Sequence, residues 1–191
     1  MVLAEKSTSM PRPIIRTAPV SEPNQPYILW PTDTPDRQTM GGKGTALAAL
    51  NGALPIPAWF VLTPMAFDAS VATGEWPLAP TVMAALDEAL LALDTDPHAR
   101  FAVRSSATAE DQANASFAGQ LTSFLQVQRT EVADRVVAVW QSAFADQVTE
   151  YRARLNAHST GDPVRWAPAV IVQRMVDADV AGVAFGADPV S

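Results

Sequence analysis

No cysteine occurs in the 191 residues. Disulfide staples, thiolate catalysis and cysteine-based metal centres are therefore excluded, and the composition suits a reducing compartment. Histidine is nearly as scarce: His98 and His158 are the two, and both read as structural or surface residues. Aromatic residues reach only 7% and charged residues 17%. Cations are the minority sign, with 13 Lys and Arg against 20 Asp and Glu for a net charge of −7. No basic cluster offsets that balance, which excludes a nucleic-acid binder. A bound anion would have to be held by a few local cations rather than by the field of the whole chain. No apolar run is long enough to span a bilayer. The opening "MVLAEKSTSMPRPIIRT" lacks the continuous apolar core of a secretion signal. The expectation is a cytoplasmic chain that meets no membrane.

What is present in quantity is apolar residue, 48%, enough for a substantial core. Residues 1–26 stand apart, with five prolines and no helical or alternating period. They read as an extended leader, and residues 27–191 as the folded domain. "YILW" reads as a first strand, ended by Pro31 and Pro35. Leu47, Leu50 and Leu54 predict a short amphipathic helix from about Thr45, which Pro55 and Pro57 stop. "AWFVLT" reads as a buried strand. Thr63–Pro64 starts a second helix that runs to about Gly74, and Pro80 starts a third with Met83, Leu86, Leu90 and Leu93 on one face. Residues 101–104 and 121–127 read as strands. The longest periodic segment, from Thr130 to about Leu155, carries Val132, Val136, Val139 and Trp140 on one stripe. "AVIVQRMV" and "GVAFGAD" follow as two strands joined by "DADVA". Strands and helices without strict alternation predict an α+β fold rather than a doubly wound sheet. The chain stops directly behind the last of these strands, as though cut.

Three segments stand out chemically. In "GGKG", residues 41–44, Gly42 and Gly44 allow close backbone approach at the start of a helix, and Lys43 between them has the reach to meet a phosphate. The spacing is not that of a Walker A loop, and on the tetrapeptide alone a plain turn entering a helix fits better. In "FAVRSSATAEDQANASFAGQ", residues 101–120, Arg104 ends an apolar strand, where its forked guanidinium suits a phosphate. Ser105, Ser106 and Thr108 add hydroxyls beside it, and Ser116, Gly119 and Gln120 suit a flap over the same ligand. A solvated loop with a surface ion pair to Glu110 or Asp111 fits the segment equally well. In "VIVQRMVDADVAGVAFGADP", the backbone with Gln173, Met175 and Val176 suits the edge and faces of an adenine, although by residue type a core hairpin is the better reading.

"GGKGTALAALNGALPIPAWFVLT", "FAVRSSATAEDQANASFAGQLTSFLQV" and "VIVQRMVDADVAGVAFGADPV" occur in one order, with "VWQSAFADQVTEYRAR" between the last two. Together they resemble the N-terminal nucleotide-binding region of the phosphoenolpyruvate synthase and pyruvate phosphate dikinase family. The resemblance runs from about Tyr27 to Ser191. It implies an ATP-grasp-like fold with mixed sheets and flanking helices, incomplete at its C-terminal end, with ATP and Mg²⁺ as cofactors. By motif match Lys43 and Arg104 hold phosphate, Ser105–Thr108 and Ser116–Gln120 line the phosphate channel, and Gln173, Met175 and Val176 meet adenine. Two positions depart from the family: Trp59 stands where a glycine is usual, and Gln147 where an arginine is usual.

The resemblance further implies that the Mg²⁺ ligands, the phosphohistidine segment and the domain for pyruvate or its phosphoenol form lie beyond Ser191. The function it implies is the ATP-binding part of a phosphotransferase that passes phosphate from ATP to a histidine on another domain. Such a part is expected to bind nucleotide weakly and not to turn over alone. Two alternatives stay open: a rifampicin phosphotransferase-like antibiotic kinase, and a non-catalytic nucleotide-binding or interaction module. If a second lobe is missing, parts of "VIVQRMV" and "GVAFGA" are expected to be uncovered and to favour self-association.

Overall fold

The structure, a computed structural model, describes residues 26–72, 78–107, 122–143 and 168–182. Five strands form one sheet: β1 (Ile28–Leu29), β2 (Trp59–Leu62), β3 (Arg100–Ser106), β4 (Ser123–Gln128) and β5 (Ala169–Arg174), in the order β1-β2-β5-β3-β4. Every pairing is antiparallel. The α+β class therefore holds, but the mixed sheets expected do not appear among the described residues. β5 lies between β2 and β3 and runs antiparallel to both, so no two hydrogen-bonded neighbours are parallel.

Helices cover both sheet faces. Alternation along a strand sends successive side chains to opposite sides, and the buried clusters follow it. Phe60, Leu62, Phe101, Val103, Val170 and Val172 face one way and pack on α2 (Pro64–Ala72), α3 (Pro80–Leu93) and α4 (Val132–Ser142). Trp59, Val61, Ala169 and Ile171 face the other way, beneath α1 (Arg37–Leu50), which contributes Met40 and Ala48. Runs such as "WFVL" are buried at every position, as a strand covered on both faces requires.

The helices agree with the apolar periods, with two differences. On α3 the buried residues are Val82, Leu86, Ala89, Leu90 and Leu93, whereas Met83 is 38% exposed. Both Val82 and Met83 match the period of the leucines, and the packing of α3 buries Val82. The first helix also begins earlier than Thr45. Asp36 caps it by accepting from the Gln38 N–H at 3.1 Å, and the helix breaks at Gly41 (φ 70°, ψ 177°) and resumes at once. A 3-10 turn, Arg129–Glu131, opens α4, with the Gln128 N–H donating to Glu131 Oε2 at 3.1 Å. The predicted continuation of that helix to Leu155, the strand "GVAFGAD" and the leader lie outside the described residues.

β5 splits the segment expected to be uncovered. Val170–Val172 are buried at the centre of the sheet, and Val176 beyond its end is 57% exposed. Among the described residues no helix is long and apolar enough to cross a membrane.

Candidate functional site

The glycine-rich segment and the end of β3 are docked on each other. Ser106 is fully buried; its hydroxyl donates to the Met40 carbonyl at 2.7 Å and accepts from the Gly44 N–H at 3.0 Å. One side chain thus bridges both sides of the break at Gly41. The Gly42 N–H donates to the Ala107 carbonyl at 3.0 Å. Gly41 lies so close that a Cβ there would sit 2.0 Å from the Ser106 carbonyl oxygen. Only glycine accepts both that contact and the positive φ.

This docking sets the position of Lys43. Its Nζ donates to the Ser105 carbonyl at 3.2 Å, one residue from Arg104. Arg104 pairs with Ile171 across the sheet, and directly opposed residues share a face. Ile171 packs with α1, so Arg104 projects to the α1 side. Lys43 and Arg104 therefore stand together on one face of the sheet, at the end where β3 finishes and β5 begins. Both are half-buried, so the two cations sit on a partly desolvated wall where charge–charge interactions exceed those in bulk water.

Gln173 lies on the same face further along β5, opposite Trp59 on one side and Ala102 on the other. Its Nε2 donates to the Pro57 carbonyl at 3.2 Å. The Met175 N–H donates to the Arg100 carbonyl at 2.8 Å. From Ile171, level with Arg104, to Met175 is four residues, about 13 Å of extended chain.

Neither Ser105 nor Ser106 offers an uncommitted hydroxyl on the face of Arg104. Ser105 pairs with Val170 and points with it to the opposite face; it is fully buried and its Oγ has no hydrogen-bond partner. The Ser106 hydroxyl is committed to α1, as are the N–H groups of Gly42 and Gly44 to the end of β3. Thr108, Ser116, Gly119 and Gln120 lie outside the described residues, as do His158 and Gln147. His98 is exposed in a turn, its N–H donating to Asp96 Oδ1 at 2.8 Å.

Sequence reasoning passed over Gly41, the glycine with the tightest requirement. The doublet "GG" was its signal, but its meaning depends on Ser106, far along the chain. It also passed over Asp94. The Asp94 carboxylate pairs with Arg174 Nε, and its carbonyl accepts from Arg129 Nη2. The Asp96 N–H, then the Arg174 and Arg129 guanidiniums, hold the Asp94 carboxyl below the usual carboxylate range.

Among the described residues no group of three or more His, Cys, Asp or Glu is placed to hold a metal ion. The described site thus offers donors for an anion and no ligand set for Mg²⁺.

The family model described as "Pyruvate phosphate dikinase, AMP/ATP-binding domain" matches residues 72–191. Among curated relatives, rifampicin phosphotransferase from a Streptomyces species is 41% identical over 120 residues, 62% of this chain and 13% of that protein. Prodigiosin synthesizing transferase PigC from Serratia marcescens is 34% identical over 171 residues, 80% of this chain and 18% of that protein. Phosphoenolpyruvate synthase from Escherichia coli K12 is 44% identical over 116 residues, 59% of this chain and 14% of that protein. The chain thus spans less than a fifth of the length of each of these three relatives.

Proposed function

This chain belongs to the pyruvate phosphate dikinase AMP/ATP-binding domain family, and from that membership we propose that it is the nucleotide-binding part of a larger phosphotransferase. In this reading the sheet and its helices are one lobe of an ATP-grasp-like fold. Lys43 and Arg104 take the triphosphate, and the Gln173–Val176 segment takes adenine. The observation that carries the reading is the meeting of Lys43 with the end of β3: an ammonium 3.2 Å from the Ser105 carbonyl, beside a guanidinium on the same face. The distance from there to Met175 suits an extended nucleoside triphosphate lying along β5.

The chemistry assigned to these residues is positioning and charge neutralisation. A phosphoryl group passing from ATP to an acceptor carries its charge on oxygens that need fixed donors, and little covalent work falls to the protein. Arg104 offers two parallel N–H groups and Lys43 a point charge. Mg²⁺, when bound, would supply further neutralisation of the phosphate charge; its ligands are assigned to parts of the protein other than the described residues. The acceptor, a histidine on another domain, is likewise assigned outside this chain. The relatives named above differ in what their names say they make or modify, so a common nucleotide-binding part with the acceptor chosen elsewhere is the economical reading.

Calorimetric titration of ATP into the wild-type chain, Lys43→Ala and Arg104→Ala tests the assignment. Removing one charge-assisted contact is expected to weaken ATP binding by about 1.5–3 kcal/mol, at least tenfold. Unchanged affinity in both variants removes the phosphate assignment.

A further inference from the structure

We propose that Asp94 is a positioning residue for the base end of the nucleotide site, acting through Arg174. The inference rests on the assignment of Met175 and Val176 to adenine made above.

Asp94 is fixed before Arg174 reaches it. Its N–H donates to the Leu90 carbonyl at 3.2 Å, closing α3. Oδ1 accepts from the Asp96 N–H at 2.9 Å, and the carbonyl accepts from Arg129, whose guanidinium also lies over the Phe101 ring. The second carboxylate oxygen is left for Arg174 Nε. Arg174 is the last residue of β5. Its N–H donates to the Ala58 carbonyl at 2.9 Å, and the next N–H, that of Met175, donates to the Arg100 carbonyl at 2.8 Å.

Alternation sends Gln173 to the α1 face and Arg174 to the face of α3. The strand end is therefore tied from both sides, by Gln173 to Pro57 and by Arg174 to Asp94. Beside it lies a groove of about 660 Å³ between the segment 55–58, the end of α3 and Val176. Beyond it, residues 177–182 are exposed and have no helix or strand. The Arg174 clamp and the Met175 N–H bond to Arg100 are thus the last described holds on the chain before Val176. Arg174 is 52% exposed in this pair, and ion pairs at such exposure add little to global stability. Its effect falls instead on where the next two residues stand. A subsite that presents backbone groups to a flat base needs that position held to a fraction of an ångström.

Asp94→Asn in the full 191-residue chain is the test, because the amide keeps the Oδ1 acceptor for the Asp96 N–H while it removes the charge and turns the oxygen facing Arg174 Nε into an N–H donor. Amide hydrogen exchange at Met175 is expected to quicken about tenfold, with Val61 and Ile171 unchanged and the melting temperature within about 2 °C of wild type. ATP affinity is expected to fall about tenfold, and affinity for inorganic tripolyphosphate to stay as it was. Arg174→Gln should reproduce both effects, and the double variant should be no worse than either single one.

Unchanged exchange at Met175, or equal losses for ATP and tripolyphosphate, overturns the positioning role. If those arms fail while Lys43→Ala and Arg104→Ala still weaken ATP binding, only this inference falls. If the wild-type chain binds no ATP at millimolar concentration, or those two variants bind it like wild type, the site assignment falls and takes the inference with it.

Discussion

A Cβ built on Gly41 would lie 2.0 Å from the carbonyl oxygen of Ser106, 65 positions later in the chain, and 2.4 Å from its hydroxyl. That contact joins the helix over one face of the sheet, which carries Lys43, to the strand carrying Arg104, and the placement of both cations depends on it. Gly41→Ala must therefore move backbone against backbone as well as adopt a φ of 70°. A loss of about 3 kcal/mol or more in urea unfolding is expected. Gly52→Ala is the control: its φ is 80° but nothing lies within 4 Å, so only the conformational cost of about 1–2 kcal/mol applies. Equal losses at the two positions would show that the docking contact adds nothing.

Ser106→Ala leaves the Gly44 N–H and the Met40 carbonyl without their shared partner in a buried setting. Unfolding free energy is expected to drop by about 2 kcal/mol. ATP affinity should drop as well, because Lys43 sits on the turn that Ser106 holds. Stability loss with full ATP affinity would separate the hydroxyl from the site.

The Asp94 carboxyl gives a signed pH dependence. Asp96 N–H bonding and the Arg174 charge hold its folded pKa below the usual aspartate value of about 3.9, so its contribution is complete above about that pH and disappears as the pH falls through the folded value. The ratio of Met175 amide-exchange rates between Asp94→Asn and wild type should be constant from pH 7 to about pH 4 and approach one below it. A ratio that falls already near neutrality would assign the effect to another group.

Val82 and Met83 separate two readings of α3. Val82→Lys buries an ammonium among apolar side chains and should cost more than about 4 kcal/mol or prevent folding. Met83→Lys on the exposed side should stay within about 0.5 kcal/mol of wild type. Circular dichroism melts of the two variants settle which face is covered.

The strands were legible because their signal is local. "AWFVLT" and "FAVR" are apolar runs bounded by Pro, Ala–Arg or polar loops, and the structure shortens or extends each by one or two residues. What local pattern does not carry is partnership. The order of strands depends on which apolar faces meet, and nothing inside "AVIV" says that it lies between β2 and β3. The same limit explains the early start of α1. Read alone, Gly41 and Gly42 mark a turn, and they enter a helix only because Ser106 and Ala107 receive them from another strand. In the candidate site, Lys43 and Arg104 stood out by residue type, but that they share one face of the sheet follows from strand register and the docking of α1. Ser105 was not legible, because its direction follows from a strand register that runs two residues past the predicted end at Arg104. Asp94 was not, because its value lies in a partner eighty positions away, at the end of β5.

The position of β5 has a consequence for biosynthesis. The described strand that is translated last occupies the middle of the sheet, hydrogen-bonded on both sides. A nascent polypeptide that has emerged only as far as β4 holds two separate strand pairs with a vacant slot between them. Final closure must then await arrival of Ala169–Arg174 from the ribosome, which makes this a slow, long-range assembly step. Truncation anywhere upstream of Ala169 should yield an aggregation-prone product rather than a smaller soluble domain.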